Sequence, residues 1–305
     1  MRIPILIAAL ALTGPLVLAQ TDIEVQMILT AADHINHKPV PVNASAIQIM
    51  DATVTDVIQF QRGEDLDIFV LIDDAANYEF GSKLRELREF VTEQPPGVSI
   101  GVAYIHDGML QVAENPTKDH ARAARALRAP AGSKVGNPYC ALSDLMGRWP
   151  KKSMRHEVIL VSTGFDDTAT EPGDCVNAQV AIHDAERTNT IVYALYNPVE
   201  NFASEDWSRT DRGVADLAHV AYETGGEAYL LGHLPLDSIA PFLDDIAEHL
   251  DNQYLVKLKV APGPASEFRS IFIIPPRSLR QELMAPESIW VSRQAATNTR
   301  EPEFR

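Results

Sequence analysis

The sequence predicts an α/β fold: a central, mostly parallel sheet with helices on both faces, plus a small β appendage built from the two ends of the chain. Three observations predict it. From Asp67 to Asp251 strand-like and helix-like segments alternate, the order that parallel strands joined by crossover helices require. The runs "DIFVLID", "EVILVST" and "TIVYALY" are apolar at successive positions, so they belong between two layers rather than on a half-solvated surface. Between such runs, "LRELREFV" repeats apolar residues at Leu84, Leu87, Phe90 and Val91 among charges, a spacing that lines one side of a helix.

Taken in order, the chain opens with Arg2 and an apolar run from Ile5 to Leu18 that ends in Val17-Leu18-Ala19. Residues 1–19 read as a secretory signal peptide cleaved after Ala19. An uncleaved membrane anchor is the alternative, although the run is short for a span. The protein is therefore expected to be secreted or periplasmic, with no membrane span after cleavage. Residues 20–65 form an N-terminal β segment, with strands at "IEVQMILTAAD", "AIQIMD" and "VTDVIQFQ". Residues 66–252 form the α/β domain. Its strands are "DIFVLID", "VSIGVAYIHD" with a hairpin partner "GMLQVAE", "EVILVST", "TIVYALY" and "GEAYLL". Its helices are expected over 81–93, 118–129, 141–148, 176–188, 212–224 and 236–251. Residues 253–292 return to strands at "QYLVKLKVA", "FRSIFIIP" and "SIWVS", and are expected to pack with the N-terminal segment because neither could fold alone. Residues 293–305 are a polar tail.

A formal charge of −16 over 305 residues opposes binding to nucleic acid or anionic lipid and favours a basic or metal-bridged protein partner. Both cysteines, Cys140 and Cys175, lie in the exported part. In an oxidising compartment such a pair suggests a disulfide, with two buried thiols as the alternative.

In open α/β sheets ligands bind beyond the carboxyl ends of strands. Asp73 and Asp74 stand there, and so do two long loops, 163–175 and 197–213. Asp166 and Asp167, with Glu171 and Asp174, make an acidic rim on the first loop; a solvated charge run is the plain alternative to a binding role. Trp207 in the second loop is either tucked against the domain or an exposed anchor for a partner. His34 and His37 in "HINH" read as a turn, since no third metal ligand accompanies them. Ser162 and Thr163 lack the setting of a nucleophile elbow. The chain is therefore not expected to be an enzyme.

The pieces "DIFVLIDDAAN", "GNPYCALSDLM", "EVILVSTGFDD", "TIVYALY", "ADLAHVAYETGGEAYLL" and "IAEHLDNQYLVKLKVAP" together resemble the von Willebrand factor type A (VWA) domain, specifically the VWFA-related group of secreted bacterial proteins. The resemblance spans nearly all of the mature chain. It implies a Rossmann-like domain devoted to protein recognition, commonly through a divalent cation. The family holds that ion with D-x-S-x-S after the first strand, a threonine from a middle loop and an aspartate in D-G after the fourth strand. Such donors suit Mg²⁺, which takes six oxygens at about 2.0–2.1 Å.

Carried over position by position, the set is degenerate. Asp73 keeps the first aspartate, Ala75 replaces the first serine and Asn77 the second. Cys140 falls at the threonine, and Thr163 at the second aspartate. The implied metal residues are thus Asp73, Asn77 and Thr163, with no cofactor expected beyond a weakly held Ca²⁺ or Mg²⁺. A Cys140–Cys175 bridge would tie two rim loops where the threonine would meet the metal, and would stabilise by roughly 3–4 kcal/mol. The expected function is a protein-recognition or scaffold module of the VWFA-related type. The alternatives are a metal-dependent adhesion domain using the residual site, or an enzyme or small-ligand protein using the acidic rim.

Overall fold

The computed structural model describes residues 22–33, 42, 47–49, 51–76, 78–133, 135–150, 154–166, 177–197, 207–230, 238–274 and 281–292. The leader and the polar tail lie outside the described residues.

The N-terminal segment supplies β1 (Ile23–Asp33), β2 (Gln48–Ile49) and β3 (Ala52–Gln59). The central domain then runs β4 (Leu66–Asp73), a 3₁₀ turn at Tyr78–Lys83, α1 (Leu84–Glu93), β5 (Ser99–His106) and β6 (Met109–Thr117). It continues through α2 (His120–Ala126), α3 (Pro138–Met146), β7 (Arg155–Ser162), α4 (Ala178–Arg187) and β8 (Thr190–Tyr196). Last come α5 (Trp207–Glu223), β9 (Ala228–Leu230) and α6 (Ala240–Asp251). The chain returns through β10 (Gln253–Val260), β11 (Glu267–Ser270), β12 (Ile273–Ile274), β13 (Gln281–Met284) and β14 (Ser288–Val291).

The central sheet has the order β6-β5-β4-β7-β8-β9. Every pairing is parallel except the β5–β6 hairpin at one edge. All residues of β4, β7 and β8 are buried, as strands covered on both faces must be. Alternate side chains feed two cores. Ile68, Val70 and Ile72 meet Leu87 of α1, Ala123 of α2 and Ile246 of α6. Phe69 and Leu71 meet Leu142 of α3, Ile182 of α4 and Leu217 of α5. Gly101 sits opposite Phe69 in the ladder, and a Cβ there would come within 2.3 Å of the ring. The small residue makes room for the large one.

Helix starts follow local chemistry. The side chains of Asp119, Asn137 and Asn177 accept the Arg122, Cys140 and Val180 amides, caps worth about 1 kcal/mol each. These caps set the starts of α2 at His120, α3 at Pro138 and α4 at Ala178, where 118, 141 and 176 were expected. The start of α5 is a larger correction. It begins at Trp207 rather than 212, which places Trp207 on a helix instead of in a loop.

A second, antiparallel sheet has the order β13-β1-β10-β3. Eight residues of β1, Ile23 to Thr30, pair with Val260 to Gln253 of β10, so the two ends of the chain do pack together. Met27, Leu29, Tyr254, Val256 and Leu258 form its own core, while Ile28 points into the core of the central domain. The single expected strand "FRSIFIIP" is divided into β11 and β12, and β13 was not foreseen from the sequence.

Candidate functional site

The carboxyl ends of β4 and β7 bring Asp73, Asp74, Ser162 and Thr163 together, as the fold class requires. Asp73 is wholly buried. Its Oδ2 accepts from Ser162 Oγ at 2.7 Å and its Oδ1 from the Ala75 amide at 2.9 Å. Ser162 Oγ in turn accepts the Gly164 amide at 3.0 Å. Burial pushes the Asp73 carboxyl up to about 6, against the pull of those two hydrogen bonds.

Asp74, expected as a rim residue, is buried as well. Arg128 grips it with two bonds, Nη1 to Oδ1 at 2.6 Å and Nη2 to Oδ2 at 2.9 Å. The Ala131 amide and His106 Nδ1 complete its shell at 2.9 and 3.0 Å. Burial would raise this carboxyl, but Arg128, the amide and His106 outweigh it and hold it below its usual range. The Arg128 guanidinium also lies 3.7 Å from the centre of the Tyr104 ring. Arg128, itself partly exposed, therefore neutralises the second carboxylate, and buried Asp74 is held in an ion pair.

Thr163 is fully buried, and its hydroxyl accepts the Phe165 amide at 3.2 Å. Gly164 follows with φ +73. A Cβ there would come within 2.2 Å of the Gly213 carbonyl of α5, so the "STG" sequence is a packing requirement that seats α5 on the end of β7. Cys140 is not a free thiol. Asn77, Asp167 and Cys175 lie outside the described residues, and of Trp207 only its place as the first residue of α5 is described.

The donors that the resemblance implies for a metal are few. Ala75 has no oxygen, each Asp73 oxygen already accepts one hydrogen bond, and the Thr163 hydroxyl is enclosed as an acceptor. Among the described residues, no three His, Cys, Asp or Glu side chains converge as a ligand set. These residues do not fit an octahedral Mg²⁺ site.

Beside them opens a pocket of about 350 Å³, walled by Tyr139, Gly164, Phe165 and Asp166 on one side and by the starts of α4 and α5 on the other. Arg209, Arg212, Asp216 and His219 of α5 line it, at spacings of three and four residues that place them on one helix face. Arg209 stacks on Phe165, 4.4 Å from the ring centre. Burial raises the Asp216 carboxyl, with Asp166 adding to the shift and His219 and Arg212 opposing it. Tyr139 donates to the Gly164 carbonyl at 3.1 Å, and burial beside Asp216, Asp166 and Asp73 pushes its phenol far up. Among the described residues the pocket wall is of mixed sign. Sequence reading missed the α5 face because the helix was started at 212, which left Arg209 in a loop and hid the spacing.

Six strands with one antiparallel edge, helices on both faces, and a crevice at the ends of β4 and β7 make this a Rossmann-like α/β domain. No protein-family model matches the chain, and no curated protein matches it. Among solved structures it is similar to the vWF domain of the type V pili tip protein Mfa5 from Porphyromonas gingivalis, at 11% identity over 64% of this chain and 95% of that one, with a TM-score of 0.44. It is similar also to proximal thread matrix protein 1 from the mussel byssus, at 14% identity over 64% of this chain and 49% of that one, with a TM-score of 0.40. The VWA domain of SpRpn10 matches at 12% identity over 59% of this chain and 93% of its own, with a TM-score of 0.37.

Proposed function

We propose that this chain is an exported protein-recognition module that docks a partner in the crevice between the end of β7 and α5, without a resident metal ion and without catalysis. The mixed-sign pocket carries this reading. Its Arg209 and Arg212 offer donors, Asp166 and Asp216 offer acceptors, and Phe165 offers an apolar floor, the mixture by which a protein side-chain cluster is recognised. Groups that could do chemistry nearby are engaged elsewhere: Ser162 donates to Asp73, Tyr139 to a backbone carbonyl, and His219 pairs with Glu223 at 2.9 Å. Export rests on residues 1–19. Among the described residues no helix is long and apolar enough to cross a membrane.

The same reading pairs Cys140 with Cys175, since Cys140 is not free and the sequence holds only these two cysteines. Labelling of the unfolded, non-reduced monomer should find no thiol; two thiols, or a linked dimer, would contradict the pairing. The function is tested by affinity capture from the native envelope with the mature chain and with Arg209→Glu/Arg212→Glu. The variant should lose the specific partner while melting like the wild type. Retention of the same partner at the same strength would remove the crevice from the account.

A further inference from the structure

Away from the crevice, β1 is paired along only part of its outer side. β13 covers Thr30 to Asp33 and then departs: Pro286 bridges to Thr224, and the Glu287 amide donates to the Glu223 carbonyl. Beyond that point Ile23, Glu24, Val25 and Gln26 all line one trench of about 350 Å³, whose far wall holds Glu186, Arg187, Asn189, Trp290 and Ser292. Successive side chains of a strand point to opposite faces. A trench touched by four consecutive residues therefore runs along the strand's edge, not over one face. Among the described residues no strand pairs with that side of Ile23–Gln26, and the opening is about 13 Å long at some 3.4 Å per residue.

The trench also carries a charge preference. Arg187 is occupied, donating to Asp184 at 2.9 Å and stacking on Phe268 and Trp290. Glu186 is only 6% exposed. Its Oε1 accepts from the Ser288 amide and hydroxyl, at 3.1 and 2.6 Å, but its buried Oε2 has no hydrogen-bond partner. A buried carboxyl oxygen without a donor is costly, and here its residue lines the trench beside Ile23–Gln26. Glu24, exposed on the opposite wall, adds a second acidic group.

We infer that the Ile23–Gln26 edge of β1 is a strand-addition site for an extended segment of a partner protein that carries a basic side chain toward Glu186. The partner's backbone would continue the line that β13 abandons, giving main-chain hydrogen bonds for affinity, while the Lys or Arg supplies the selectivity. This site is separate from the crevice, and neither depends on the other.

The probe is a fluorescent TVTKTVT peptide, compared with TVTETVT, added to the full mature chain and followed by anisotropy and amide hydrogen exchange. TVTKTVT should bind, TVTETVT should bind at least tenfold more weakly, and bound peptide should protect residues 23–26. Glu186→Gln should weaken TVTKTVT by roughly tenfold, the loss of one charge-assisted hydrogen bond. Glu24→Gln, at an exposed position, provides the same comparison at smaller amplitude if Glu186→Gln does not fold, and Arg212→Glu in the crevice should change nothing. Absence of binding, binding without protection at 23–26, or indifference to both acidic substitutions would overturn the inference. So would binding gained only when the chain is ended at Ser292, which would give the edge to the chain's own tail. Protection at 23–26 that rises with protein concentration alone would give it to a second copy.

Discussion

At the carboxyl end of the central sheet Asp73 and Asp74 are buried side by side, whereas at the amino end Arg155 and Glu157 are buried two residues apart on β7. At the carboxyl end the partners come from the rim: Ser162, the Ala75 amide, and an Arg128 that is still 42% exposed in its side chain. At the amino end the partners come from across the seam between the two sheets. Arg155 is fully buried and donates to Gln253 Oε1 and to the carbonyls of Glu64 and Leu250. Gln253, the first residue of β10, donates in turn to Glu157 Oε1 at 2.9 Å. Burial pushes the Glu157 carboxyl up to about 8, although Arg155 and Gln253 pull it down. The difference teaches what each set of charges is for. One end satisfies acidic groups that its fold class uses for ligands; the other uses a cation to join the appendage to the domain.

The amino end should break hardest. Arg155→Met removes three buried hydrogen bonds and leaves Gln253 and two carbonyls without a donor, so urea unfolding should show a loss of about 3–5 kcal/mol. A loss below about 1 kcal/mol would mean that the seam is held by apolar packing alone. Asp74→Ala strips Arg128 of its partner. Because that arginine can turn to water, the cost should be smaller, about 1–3 kcal/mol.

A smaller effect separates the ends by pH. The folded-state carboxyl of Glu157 titrates near 8, above its ordinary 4.5. Between those values the folded protein holds a proton that the unfolded chain has released. Stability from this group is therefore present below pH 4.5 and is lost as pH rises through 8. Glu157→Gln should flatten the decline in melting temperature between pH 6 and 9, to about the extent that this one group sets it. Asp73 acts in the same direction over a lower window, from 3.8 to about 6, so its neutral variant should leave the slope above pH 7 unchanged. An unaltered slope in Glu157→Gln would assign the pH response to other acids, Glu186 first, which burial raises to about 7.

The smallest expected effect is none at all: millimolar Mg²⁺ or Ca²⁺ should leave the melting temperature unchanged. A saturable rise that disappears in Asp73→Ala would show that residues outside those described complete a cation site.

Residue patterning alone dictated the layers of the fold. Period-two and period-3.6 patterns are local, so they can be read without knowing where the chain goes. It also indicated that the first and last β segments meet, because neither buries enough apolar surface alone. Only the tertiary structure decided what became of the remaining charges. Arg128 reaches Asp74 from 54 residues away, and nothing in "RALRAPAG" shows that its arginine points at a strand end. Arg209 joins Arg212, Asp216 and His219 on one face only because α5 starts at Trp207, and the meeting of that face with Asp166 depends on Gly164 lying against Gly213. Among the described residues no strand pairs with the outer side of Ile23–Gln26, because β13 leaves β1 after Met284. Local periodicity fixes which elements form, but the partner of a buried charge or an unpaired strand edge is set by long-range packing, which a one-dimensional pattern does not encode.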